Sequence, residues 1–118
     1  MKSMRNSVQL IGRLGRDPEV KSFSKSKKAS FSIATSDNYK NQKGEKVEET
    51  QWHNIVIWGK LADVAEKYLK KGNEVMVEGK LVHRVYEAEG EKRYITEVNV
   101  NELLMLGSPT KEGDKEQP

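Results

Sequence analysis

Trp52 and Trp58, the only two tryptophans in the chain, stand six positions apart in the run Gln51-Trp-His-Asn-Ile-Val-Ile-Trp-Gly-Lys60. An indole left in solvent has one kind of chemistry to offer, the stacking of a flat ring or a cation on its π-face. Groups suited to covalent or acid–base chemistry are few. The chain has no cysteine, so it has no thiolate nucleophile or thiolate metal site, and its two histidines are His53 and His83. Each is a lone histidine among strand residues, a pattern that fits packing or an interface better than a base or a ligand. No serine sits in a G-x-S-x-G setting, and Gly12 and Gly15 make only G-x-x-G, short of a phosphate cradle. Most acidic residues are interleaved with lysines, as on a solvated surface. The expectation is a protein that is not an enzyme and uses no cofactor and no metal.

More residues collect around the tryptophans. Side chains alternate along a strand, so Trp52, Asn54, Val56 and Trp58 share one face, and His53, Ile55 and Ile57 share the other. Tyr39 stands at the foot of a polar arm and Tyr86 at the end of a later strand. By the same alternation Lys80, Arg84 and Arg13 point outward, Lys60 follows Trp58, and Arg93 opens the last strand. Every nucleobase has a π-face, and an aromatic side chain stacks on it whatever the base, for about 1–3 kcal/mol each. Cations between the rings track phosphates. The opposed reading makes the four rings core. Against it, the opposite parity already supplies aliphatic groups on every strand, and Tyr39 and Tyr86 lie in or beside polar hairpins. A third reading gives the aromatic face to a peptide or a subunit.

The elements that would hold these residues follow from periodicity. Val8–Leu14 is a first strand with Gly12 inside it, and Gly15-Arg-Asp-Pro18 is a turn. Glu19–Lys27 is polar and loosely strand-like, with Phe23 its only aromatic. Lys28–Ser36 is a second strand, with Ala29, Phe31, Ile33 and Thr35 on one face and the small residues Ser30, Ser32, Ala34 and Ser36 on the other. Asp37–Thr50 reads as a protruding hairpin arm. Lys60–Lys70 has Leu61, Val64, Ala65, Tyr68 and Leu69 at helical spacing and is stopped by Gly72. Glu74–Tyr86 and Arg93–Leu104 are strands joined by the loop 87–92. The first should turn Val75, Val77, Gly79 and Leu81 inward. The second should turn Tyr94, Thr96, Val98 and Val100 inward and Glu97 outward. Three strands, a helix and two strands predict an all-β, five-stranded OB barrel with one helix between strands 3 and 4.

The length predicts one domain over 1–107, and the apolar-poor stretch 108–118 reads as a short disordered tail. Neither a signal-peptide core nor a membrane-length run is visible, and the expected location is the cytoplasm. The formal net charge is +3, but it is unevenly spread. Residues 1–30 carry eight Lys/Arg against two acidic groups, and the remainder is net acidic. Such asymmetry points to a polyanion at one part of the surface.

The motifs Val8-Gln-Leu-Ile-Gly-Arg-Leu-Gly-Arg-Asp-Pro-Glu19, Ala34-Thr-Ser-Asp-Asn-Tyr39, Thr50-Gln-Trp-His-Asn-Ile-Val-Ile-Trp-Gly-Lys-Leu-Ala62, Tyr68-Leu-Lys-Lys-Gly72 and Val77-Glu-Gly79 run in one register. In them the chain resembles the bacterial single-stranded DNA-binding protein family, from about residue 4 to about residue 107. The resemblance implies an OB-fold and a homotetramer that wraps single-stranded DNA in replication, recombination and repair, associated with the nucleoid. It places the stacking rings on Tyr39, Trp52, Trp58 and Tyr86, two tyrosines standing where tryptophan is familiar and Trp58 where phenylalanine is. It carries phosphate contacts to Lys60, Lys70, Lys71, Arg84 and Arg93, beside Arg13 and Lys80 from parity, and it puts His53 at a subunit interface. Asn54 stands where an arginine is common. The usual acidic tip that recruits replication and repair proteins has no counterpart in Glu116-Gln-Pro118.

Overall fold

The computed structural model describes residues 4–107, so the expected tail at 108–118 lies outside the described residues. Its elements are β1 (Val8–Leu14), β2 (Glu19–Ser22), β3 (Lys27–Lys40), β4 (Lys46–Trp58), α1 (Lys60–Tyr68), β5 (Glu74–Ala88) and β6 (Glu91–Gly107). The strands lie in the order β1-β5-β6-β4-β3-β2. The sheet closes on itself where β1 also meets β3, through Arg13 opposite Ala34 and Leu14 opposite Ile33. Five strands form the barrel, and β2 rides on the outer edge of β3. β4 is antiparallel to β3 and parallel to β6, so it is paired on both sides. With α1 between the third and fourth barrel strands, the fold is the OB arrangement.

The barrel is filled by one parity of its strands. Phe31, Ile33, Ile55, Ile57, Val75 and Val77 are fully buried, joined by Leu14, Ala29 and Val98. Complete burial of each large aliphatic or aromatic group contributes about 1.5–3 kcal/mol. α1 closes one end with the stripe Ala62, Ala65 and Leu69. The helix is shorter than its spacing suggests, because Leu69 already has extended backbone angles. Val64 and Tyr68, expected on its packed face, are exposed. The small residues Ala62 and Ala65 take the contact instead and let the helix axis approach the barrel.

β3–β4 and β5–β6 both run on beyond the barrel as two-stranded arms. The β3–β4 arm occupies the expected polar segment and turns at residues 41–45, where the Asn41 Oδ1 accepts from the backbone N–H of Lys43 and of Glu45. In the β5–β6 arm inward parity no longer means burial. Leu81, Tyr94 and Thr96, expected inside, are exposed, Tyr94 to 77%. His83 is exposed there too, bonded to the Thr96 hydroxyl at 2.9 Å. Glu97, expected in solvent, is buried.

The close approach of β5 to β6 requires Gly79. It sits where the β5–β6 register steps, between Val8 on one side and Val100 on the other. A Cβ there would run into the Asn99 backbone carbonyl, which cannot move without breaking the ladder. Gly79→Ala is therefore expected to lower stability by about 1–3 kcal/mol in urea unfolding. Gly107→Ala, where a Cβ meets nothing within 4 Å, should stay close to the parent.

Candidate nucleic-acid interface

Directly paired residues share a face, so the register defines the outer surface of the barrel. Ala34 is opposite Trp52 and Lys28 opposite Trp58 on β3–β4. Asn54 is beside Glu97 and Val56 beside Asn99 on β4–β6. Glu97 is opposite Val82, Ile95 opposite Arg84, and Arg93 opposite Tyr86 on β6–β5. One continuous outer face thus carries Trp52, Trp58, Lys80, Arg84, Tyr86 and Arg93. Trp52 is 60% exposed and Trp58 46%, which excludes the core reading for both.

Each tryptophan has a built seat. Trp52 lies over Gly15: a Cβ on that glycine would be 2.5 and 2.9 Å from ring atoms Cζ3 and Cη2, with the Ser32 Oγ at 3.7 Å. Any larger residue at position 15 would collide with the indole, so the glycine leaves the ring its place. Trp58 lies at the other end, its ring centroid 5.8 Å from that of Phe23, with the Lys28 Nζ 5.6 Å from its ring.

Arg84 is held rather than free. Its Nε and Nη2 donate to Glu97 Oε1 and Oε2 at 3.0 and 2.9 Å. Glu97 is only 7% exposed. These hydrogen bonds, and then the charge of Glu97, raise the Arg84 pKa above the ordinary arginine value. The guanidinium carbon is 5.9 Å from the Tyr86 ring centroid, within cation–π range. A carboxylate, a guanidinium and a phenol ring therefore form one row on the outer face.

Three of the remaining cations lie together and three stand separately. Arg13, Lys70 and Lys71 gather at the turn after α1. The Arg13 Nη1 donates to the Gly72 carbonyl at 2.9 Å, and the Lys71 backbone N–H donates to Asp17 Oδ1 at 2.8 Å. That turn is tied to the end of β1 by Gly72 N–H to Leu14 O and Leu14 N–H to Asn73 O, next to the glycine under Trp52. Lys60 is exposed just past Trp58, and Lys80 on the outer face of β5. Arg93 has a long 3.8 Å contact with Glu91.

Two expected residues are placed apart. Tyr39 pairs with Val47 in a register that runs unbroken from Lys28–Trp58, so it continues the parity of Ile33 and His53. It is exposed, but on the opposite face of the arm from Trp52. His53 is half-buried, with its Nε2 2.9 Å from the Thr35 hydroxyl. Where the two arms diverge, a cleft of about 330 Å³ opens between Trp52, His53, Leu81, Tyr94 and Glu97.

Phe23, Lys28 and Glu97 belong to this surface without having been singled out by sequence. The available signals were an apolar ring in an otherwise Ser/Lys hairpin, and an acid and an arginine of equal outward parity on consecutive strands. Among the described residues no group of three or more His, Asp or Glu side chains comes together as a metal site.

The model described as "Single-strand binding protein family" matches residues 5–106. Over 106 residues the chain is 43% identical to the single-stranded DNA-binding protein 1 of Chlorobaculum tepidum, covering 87% of this chain and 65% of that protein. It is 45% identical over 104 residues to the single-stranded DNA-binding protein of Neisseria meningitidis serogroup A, covering 86% and 60% respectively. The match thus spans 65% and 60% of the length of these two relatives. A solved structure titled "Plasmodium falciparum SSB complex with ssDNA" superposes with a TM-score of 0.80 at 32% identity, covering 90% of this chain and 98% of that one.

The Arg84–Glu97 pair gives a direct test of the outer-face geometry. Arg84→Ala leaves a buried carboxylate without its two donors and is expected to cost about 1–3 kcal/mol in urea unfolding. Adding Glu97→Gln to that variant should recover part of the loss, since a neutral amide is less costly to leave unpaired.

Proposed function

The chain belongs to the single-strand binding protein family, and on that premise we propose that it binds single-stranded DNA with little regard to sequence. The observation that carries the reading is the outer face of β4: two exposed indoles, each on a prepared seat, on a surface shared with Arg84, Tyr86, Lys80 and Arg93. Bases stack on Tyr39, Trp52, Trp58 and Tyr86, and phosphates pass to Lys60, Lys80, Arg84 and Arg93 and to the Arg13–Lys70–Lys71 group. Because Tyr39 lies on the far face of its arm, a strand that reaches both Tyr39 and Trp52 must pass around the β3–β4 ribbon. Contact therefore follows a curved path rather than a flat groove. Arg84 serves as a fixed donor, since two of its N–H groups are already committed to Glu97. Nothing in this reading requires a catalytic step, a cofactor or a metal.

The same proposal includes assembly into a homotetramer acting on exposed single strands in replication, recombination and repair, in the cytoplasm with the nucleoid. Two features of the surface support assembly. Ile11, Met76 and Leu104 stand in one cross-strand row on the outer face of β1–β5–β6, with Ile11 and Leu104 half-exposed. Among the described residues β1 meets β3 only at Arg13 and Leu14, so most of one edge is left unpaired for another chain. His53, half-buried beside the open cleft, is assigned to a contact between subunits. No helix among the described residues is long and apolar enough to cross a membrane. Replication and repair proteins as further partners rest on the family alone.

Titration with oligo-dT should quench the tryptophan fluorescence, and log K should fall with log salt at a slope of roughly −0.7 per phosphate contacted. Absence of quenching at low salt would overturn the reading. Trp52→Ala and Trp58→Ala should each weaken binding by about 1–3 kcal/mol. Light scattering should return the mass of four copies, and Leu104→Glu should shift it toward smaller species.

A further inference from the structure

The turn that joins β2 to β3 carries Phe23 into solvent. Phe23 is 51% exposed in a Ser-Phe-Ser-Lys-Ser segment that supplies no other apolar group. The turn itself is well tied. The backbone N–H of Phe23 donates to the Ser26 carbonyl at 2.7 Å, and the N–H of Gly59 donates to the Lys27 carbonyl at 2.9 Å. The second bond fastens the start of β3 to the residue that follows Trp58. Phe23 and Trp58 are therefore set by backbone on both sides, with centroids 5.8 Å apart and planes inclined at 33°.

The adjacent lysines divide by function. Lys27 Nζ lies 2.7 Å from Asp63 Oδ1 and 2.8 Å from Glu66 Oε1, so its charge is taken up by α1. Hydrogen bonds to Asp63 and then Glu66 hold its pKa above that of an ordinary lysine. Lys28, one residue on, turns to the other face and lies 5.6 Å from the Trp58 ring. Lys25 and Lys60 border a hollow of about 390 Å³ that Phe23 also lines, together with the Lys27–Asp63 ion pair. Two exposed rings with Lys25 and Lys28 beside them, and the nearby Asp63 already paired with Lys27, make an arrangement suited to a base and its phosphate.

We propose that Phe23 is a further stacking residue, which extends the Trp58 platform by one unpaired nucleobase and directs the flanking phosphate to Lys25 or Lys28. This rests on the single-strand reading above and adds to it a contact outside the expected set of rings. The base does not enter between the two rings: a sandwich needs about 7 Å between ring planes, twice the contact distance of carbon atoms. It joins the pair from the open side of Phe23. The competing role for Phe23 is a cover over Trp58, which any apolar group of similar bulk could fill.

Phe23→Leu separates the two roles, because leucine retains the cover and lacks a π-face. Stacking predicts that the full-length Phe23→Leu protein binds oligo-dT at least about fivefold more weakly than wild type. Affinity within twofold of wild type would overturn the proposal. Should that variant fold poorly, Phe23→Trp in a Trp52→Phe, Trp58→Phe background places the sole indole at position 23. Quenching of that indole by oligo-dT supports the contact, and unchanged emission during saturable binding overturns it. If wild type itself fails to bind oligo-dT, the single-strand reading falls and this contact with it. Normal wild-type binding with an indifferent Phe23→Leu removes the contact alone.

Discussion

The structure depends on the register of β4. A pleated strand paired on both edges has no freedom to rotate a side chain from one face to the other. β4 meets β3 in an unbroken antiparallel ladder and β6 in a parallel one, so its odd positions fall inside the barrel and its even positions outside. Ile55 and Ile57 then contribute the apolar burial that holds the barrel closed. Trp52 and Trp58 are left outside by the same ladder, at a cost in exposed apolar area that the core must outweigh. A shift of one residue would bury the indoles and expose the isoleucines. The register that stabilises the fold is thus also what presents the rings.

Alternation made much of this legible before any coordinates. The split of β4 into two faces, the small residues of β3 below the rings, the helix and the β3–β4 arm all follow from local period and polarity. What local period leaves out is where the barrel ends. Leu81, Tyr94 and Thr96 have core parity, but they lie on an arm past the closed wall, where an inward side chain faces open water. The same limit explains Tyr39. Its polar surroundings group it with the tryptophans, and only the register carried along the whole ladder shows it on the other side. For α1, spacing marked a broad apolar stripe, whereas contact with the barrel selects the small residues within it.

Glu97 shows a different limit. Its parity is outward, yet it is buried, because a long arginine two strand positions away on β5 lies across it. Burial of an outward residue depends on cross-strand neighbours, which a single strand's sequence does not reveal. The pairing also changes what Arg84 is. A free arginine on this face would adapt to any phosphate. One locked by two hydrogen bonds and resting near Tyr86 presents its remaining donors in one direction.

The same distinction bears on charge. The excess of lysine and arginine in the first thirty residues suggested a basic patch, but a count of charges is not a field. Lys27 is neutralised by two carboxylates of α1, while its neighbour Lys28 lies by an indole on the opposite face of the same strand. Strand alternation sorts the two members of one Lys-Lys pair into a structural tie and a surface cation. A ligand therefore meets positive charge where the pleat places it beside a ring. Stacking and phosphate contact are coupled by backbone geometry rather than by the overall balance of acids and bases.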